Sequence, residues 1–330
     1  MHLRGISIDR ETLGDVHPNV ARDIQNLASI YLTSGRLKEA EELWVEAISI
    51  NEATFGADHD QTVSARFGLA AIYHSHARYE EAESMLTQCL EATRRIAGED
   101  HIEFARISNG LGELYRVTER YVEAHRLIAR ALNINERHLG PDHPTVAVCL
   151  NNLGLVYQAT GRWGEAEQMA RRVLAIDERA YGPDHHEIAT DLVNLGLVLQ
   201  EKQELQEART MFSRALGLYE VNFGPTHPHV ALVLNHLAAV LQRLNRGQDA
   251  EPLQRRALAI DQNLYGLVHP QVGIDLNNLA MLLLSLGRSN EAEPVQVQAL
   301  EVMTRVFGRH HANVRSCKQT LDLIRKRHNG

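Results

Sequence analysis

A basic surface, a cysteine framework and a long apolar run are all missing from this chain of 330 residues. Lys and Arg number 34 against 42 Asp and Glu, a formal net charge of −8. That balance excludes the basic face on which nonspecific nucleic-acid binding depends. The three cysteines, Cys89, Cys149 and Cys317, stand far apart and are odd in number. They match neither a metal-ligand spacing nor a disulfide framework, and read as small buried thiols in a reducing, cytoplasmic setting. No stretch approaches the roughly 20 apolar residues that span a bilayer, so no membrane association is expected. The opening MHLRGISIDRE lacks the apolar core of a secretory signal. Also absent are a Gly-rich phosphate loop, a nucleophile elbow and a zinc-binding helix signature. Neither catalysis nor a cofactor is expected.

What the chain has is a period. Gly14, Gly56, Gly98, Gly140, Gly182, Gly224, Gly266 and Gly308 follow one another at 42 residues without insertion or deletion. Three residues after each comes a histidine: His17, His59, His101, His143, His185, His227, His269 and His311. A period of 20 to 50 residues marks a stacked array. No linker interrupts it, so one array is expected where the length alone suggests two domains.

Each period holds two helical patterns. In the first, Leu recurs at 27, 69, 111, 153, 195, 237 and 279, always followed by Ala or Gly. Four residues beyond stands Tyr31, Tyr73, Tyr115 or Tyr157, then Leu in later periods. These positions share one face of a helix of roughly 14 residues, and the small residue admits a second helix closely. A turn follows, with Gly35, Gly161 and Gly287 replaced elsewhere by Ala77, Glu119, Gln203 and Asn245. The second helix carries an invariant Ala (40, 82, 124, 166, 208, 250, 292) preceded by an acid, placed to suit the helix macrodipole. Pro252 and Pro294 are expected close to its start, where proline costs least. The period glycine is expected to end it in a left-handed cap. The histidine then bonds junction backbone; rungs about 10 Å apart cannot converge on one zinc ion, so no metal is expected.

These residues resemble the tetratricopeptide repeat family. The Leu150–Gly154 and Leu276–Ala280 runs, with Gly-Pro-Asp-His-Pro at 140–144, are similar to its kinesin light chain type. The resemblance implies an all-α, right-handed superhelical solenoid of helix-turn-helix repeats. It divides the chain into a half repeat over 1–14, seven 42-residue hairpins over 15–308 and a capping helix over 309–330.

With Leu27 and Tyr31 directed inward, the opposite arc of each first helix is the surface free to vary. It carries Asn109, Asn151, Asn152, Asn194, Asn235, Asn277 and Asn278, with Gln158 and Gln200 a turn later. Side-chain amides at regular spacing suit the backbone of an extended peptide. Layers about 10 Å apart match about three extended residues each, so about 10 to 15 residues would span four repeats. Leu155 and Leu197 add apolar contact; Arg106 and Arg116, with Arg22, favour an acidic ligand. In the family, equivalent asparagines clamp peptide backbone, which the resemblance implies for Asn152, Asn194 and Asn278. The same amides also suit bonds between neighbouring helices.

The leading expectation is a protein-protein interaction scaffold holding a partner's extended segment in a concave groove lined by this arc. The alternatives are a sensor or regulatory array of a larger signalling protein, and a homo-oligomer. The opening residues lack a first helix to cover Ile6, Ile8 and Leu13, so the expectation there is either a longer parent chain or a subunit contact at this edge.

Overall fold

A computed structural model describes residues 2–328 of the chain. Among the described residues there are sixteen helices and no strand. The chain divides into two compact units, Met1–Arg162 and Trp163–Gly330. The first holds α1 (His2–Leu13), α2 (Pro18–Thr33), α3 (Leu37–Phe55), α4 (Asp60–Ser75), α5 (Tyr79–Ala97), α6 (Ile102–Val117), α7 (Tyr121–Leu139) and α8 (Pro144–Ala159). The second holds α9 (Trp163–Tyr181), α10 (His186–Glu201), α11 (Leu205–Phe223), α12 (Pro228–Arg243), α13 (Gly247–Tyr265), α14 (Pro270–Ser285), α15 (Ser289–Phe307) and α16 (Ala312–His328). The even-numbered helices are called A and the odd-numbered B. Within each unit a helix packs on its neighbours in sequence. The expected half repeat and capping helix each reach residues outside those described, 1 and 329–330.

The hairpins are built as the residue pattern dictates. All seven invariant alanines of the B helices have no exposed surface, and the periodic leucines of the A helices are at most 7% exposed. The small residue after the leucine is a steric requirement. A Cβ on Gly112 would stand 2.5 Å from Ile128, and one on Gly196 2.7 Å from Phe212. No real contact is that short, so the B helix rests on bare A-helix backbone there.

The A-to-B turn is a Schellman motif. In the second hairpin Ala77 N–H donates to the His74 carbonyl at 3.0 Å, and Arg78 N–H to the Tyr73 carbonyl at 2.8 Å. The turn residue is left-handed in each of these turns, whether glycine or not: Ala77, Glu119, Gln203 and Asn245 have φ of 56°, 62°, 65° and 59°. The next residue is arginine in most turns, and where the A helix carries a tyrosine its guanidinium covers that ring. Arg36 lies 3.8 Å from the Tyr31 ring centroid and Arg120 3.8 Å from that of Tyr115. The same arginines pair with the acid that precedes the invariant alanine. Arg78 binds Glu81 and also Glu41 of the previous hairpin. The hydrogen bond from Arg78 holds the Glu81 carboxyl below its usual range.

The B-to-A junction differs from the expected cap. Gly140 has φ 88° and ψ 158°, and Gly224 φ 87° and ψ 162°. Positive φ with ψ near 160° is not the left-handed helical region; it is extended, and only glycine enters it freely. The histidine that follows caps the next helix. Its Nδ1 accepts the N–H of the residue two ahead in all eight junctions, as in His101 with Glu103 at 3.2 Å and His143 with Thr145 at 3.1 Å. An imidazole thus takes the place usual for Ser, Thr or Asp. Where the residue before the glycine is aromatic, the ring is also stacked on it, as in Phe55–His59, Phe223–His227 and Tyr265–His269.

Pro252 and Pro294, expected close to the helix start, instead lie inside α13 and α15, beyond the first turn. Each therefore removes a helical hydrogen bond as well as fixing φ. The three cysteines are free and buried, as their spacing implied. Burial pushes the Cys89 thiol up to about 11.

Candidate functional site

In the first unit, α2, α4 and α6 line an open hollow of about 550 Å3, with Arg22, Gln25, Gln61, Ser64, Glu103 and Arg106 around it. Arg106 is only half available. Its guanidinium lies 4.0 Å from the Phe67 ring centroid and pairs with Glu103 at 2.8 Å. Arg22 has Asp23 at 3.5 Å. Arg116, the penultimate residue of α6, is half-buried, and its Nε–H is buried with no acceptor. On α4, His74 at the equivalent position has a buried, unpartnered Nε2.

The amides divide into spent and unspent. Asn152 is buried and donates to Asn109 Oδ1 at 3.3 Å, so these two join α8 to α6. Asn151 is exposed; Leu155 and Gln158 are half-buried on the same helix. In the second unit, Asn235 is committed twice, donating to Asp275 Oδ1 at 2.7 Å and accepting from Gln254 at 2.5 Å. Asn277 accepts from Gln296 at 2.9 Å. These two asparagines brace helices together. Asn194 and Asn278 are half-buried, as is Leu197. Gln200 is half-buried too, with a buried, unpartnered Oε1. His236, at the position of Asn152, stacks on Phe212 with centroids 5.3 Å apart, and burial lowers its pKa.

Two pairs of acids escaped the sequence reading. Asp177 of α9 meets Asp191 of α10, and Asp261 of α13 meets Asp275 of α14. Asp191 is 9% exposed, Asp261 3% and Asp275 not at all. Burial, then the neighbouring carboxyl, pushes Asp191 up to about 8 and Asp275 up to about 7. Two carboxyls so placed share a proton near neutrality. The available signal was two acids fourteen apart, at positions that hold Asn135 and Cys149 in another period. There Asn135 donates to the Cys149 sulfur at 3.3 Å, which identifies the place as a buried polar contact between consecutive hairpins.

Among the described residues no group of three His, Cys, Asp or Glu side chains is placed to hold a metal ion. No described helix is long and apolar enough to cross a membrane.

The tetratricopeptide repeat pattern matches residues 22–95, 103–179, 155–220, 188–263 and 229–305. No curated protein matches the chain. Among solved structures, BtubC (BKLC) from P. vanneervenii is similar at 22% identity and a TM-score of 0.59, over 67% of this chain and 89% of that one. A kinesin light chain-like repeat protein of Podospora anserina matches at 23% identity and a TM-score of 0.54, over 63% and 98%. The pilus biogenesis factor PilW matches at 17% and 0.58, over 78% and 99%. At these identities the likeness is one of fold.

Proposed function

This chain belongs to the tetratricopeptide repeat family, and on that premise we propose that the outward arc of its A helices holds an extended segment of a partner protein. Proteins of this family generally mediate protein-protein interactions, and their repeat fold is typically a non-catalytic scaffold. The observation that carries the reading is the set of unspent polar groups on this one arc. Arg116, His74 and Gln200 each present a buried donor or acceptor that nothing in the protein satisfies. Such a group costs about 1–3 kcal/mol when left unpaired, and a peptide backbone supplies both kinds of partner. The hollow between α2, α4 and α6 gives side chains of the segment a place to enter.

The structure-guided choice of residues differs from the asparagine row. Asn109, Asn152, Asn235 and Asn277 have internal bonds to lose, whereas Asn151, Asn194, Asn278, Gln158 and Gln200 do not. Any acidic preference falls to Arg116, because Arg22 and Arg106 already have carboxylates beside them.

The test begins with capture of a partner from the source cell and mapping of the bound segment. Arg116→Ala and His74→Ala, both in the first unit, should each weaken that segment's binding roughly tenfold, the loss expected of one good hydrogen bond, with helicity by circular dichroism unchanged. Binding unchanged in both variants would remove the groove reading.

A second reading rests on a separate observation. Ile8, Leu13 and Val16 are 49%, 43% and 61% exposed at the edge formed by α1, while Ile6 is buried. That edge supports self-association, which light scattering at high concentration detects; a monomer throughout would dismiss it.

A further inference from the structure

Away from the A-helix arc, the B helices α5 and α7 flank a cavity of about 340 Å3 in the first unit. Leu90, Leu127 and Phe104 form its apolar lining; Arg94, Arg126 and Arg130 surround it, against the two carboxylates of Glu91 and Glu99. The repeat itself shows that this basic grouping is unusual. The position of Arg94 carries Glu52, Glu136, Glu178 and Glu220 in other periods. In the second unit the acid meets the arginine of the next B helix: Glu178 pairs with Arg214 at 2.6 Å and Glu220 with Arg256 at 2.6 Å. Arg130 is the counterpart of those arginines. Across α5 and α7 the acid has become Arg94, so two cations face one space.

Glu99 of the α5–α6 junction resolves the conflict by pairing with both Arg94 and Arg130. Other junctions hold Ala57, Pro141, Pro183 and Pro225 at its position, and the first holds Asp15, 4.0 Å from Arg10. One carboxylate serves two guanidiniums, and no carboxylate lies within ion-pair distance of the exposed Arg126 among the described residues. Arg94 is 63% exposed in its side chain, so it is free to follow an incoming anion. Arg130 is steadied by the Phe104 ring, 5.0 Å from the centroid.

We propose that this cavity binds a small phosphate monoester with an apolar carrier group, and that Glu99 fills the anion seat when the ligand is absent. Three phosphoryl oxygens at charge near −2 can engage three guanidiniums, while the resident carboxylate reaches two. The volume lies in the range of small-molecule sites, about 300–1,000 Å3, and the leucine and phenylalanine lining suits the carrier.

The test is calorimetric titration of the full chain at low salt with phenyl phosphate, inorganic phosphate and benzoate. Phenyl phosphate should bind, with inorganic phosphate and benzoate each weaker by roughly tenfold or more. Arg94→Glu restores the pair that the α9–α11 and α11–α13 rungs carry, so it should keep the fold and abolish binding. Arg126→Ala should weaken binding without touching the Glu99 pairs, and Glu99→Gln should tighten it by roughly tenfold. Equal binding of phenyl phosphate by Arg94→Glu overturns the site, as does no binding by the parent chain. Inorganic phosphate bound as tightly as phenyl phosphate overturns the apolar carrier, and an unaltered Glu99→Gln affinity overturns the role of Glu99. Melting curves for each variant separate loss of site from loss of fold.

Discussion

Two glycine positions in each period look alike in sequence and differ in what they demand. At the junction, ψ near 160° with positive φ closes to every residue with a Cβ. At Gly224 an added Cβ meets open space, so the cost of substitution is backbone strain alone. Gly224→Ala is expected to destabilise by about 1–3 kcal/mol, read from the urea midpoint. The A-to-B turn asks less, since Ala77, Glu119 and Gln203 already adopt its left-handed conformation. Glu119→Gly should therefore stabilise by about 0.5–1 kcal/mol, the steric relief exceeding the added freedom of the unfolded chain. A loss of stability in that variant would show that the Glu119 side chain matters beyond its backbone. The contrast explains why the first position never varies here and the second does.

At the scale of elements, stability depends on how closely paired helices approach. Gly196→Ala places a methyl against Phe212 and is expected to cost about 1–3 kcal/mol. Trimming the ring in Gly196→Ala/Phe212→Leu should recover part of it, which a double-mutant cycle measures directly. The buried acid pairs act between consecutive hairpins and give the protein a pH dependence. Asp191 and Asp275 have folded pKa values of about 8 and about 7, above the roughly 3.9 of an unfolded aspartate. A raised folded value means that the native state holds its proton more tightly. The contribution is complete below about pH 4 and is lost as pH rises through the window up to about pH 8. The urea midpoint should fall from pH 5 to pH 9, and Asp191→Asn/Asp275→Asn should flatten that fall. An identical slope in the double variant would refute proton sharing at these pairs.

On the scale of the whole molecule, each unit is built mainly from contacts between helices adjacent in sequence, among the described residues. In such arrays stability is close to a sum of repeat and interface contributions, so damage stays local. Leu69 is 2% exposed in α4, and Leu69→Ala should cost about 2–5 kcal/mol. Hydrogen exchange should show lost protection in α3 to α6, fading toward α8. Uniform loss across the first unit would mean that it unfolds as one cooperative block.

The amino-acid sequence determined the class of fold, the register of every hairpin and the small-residue contacts, because all of these arise from residues within one period and its neighbour. Leu27, Ala40, Gly56 and His59 do the same work wherever they recur. The sequence also placed the candidate face, since an amphipathic helix has only one outward arc. Tertiary structure alone decided which groups on that arc are available: Asn235 and Asn152 look like Asn194 in sequence, and only their cross-helix neighbours occupy them. The same holds for Asp275, whose burial beside Asp261 raises its pKa, and for Glu99, held by Arg94 and Arg130. Periodicity reports what every repeat shares. Hydrogen bonding and charge depend on which particular side chains meet across two periods, and that pairing exists only in the folded chain.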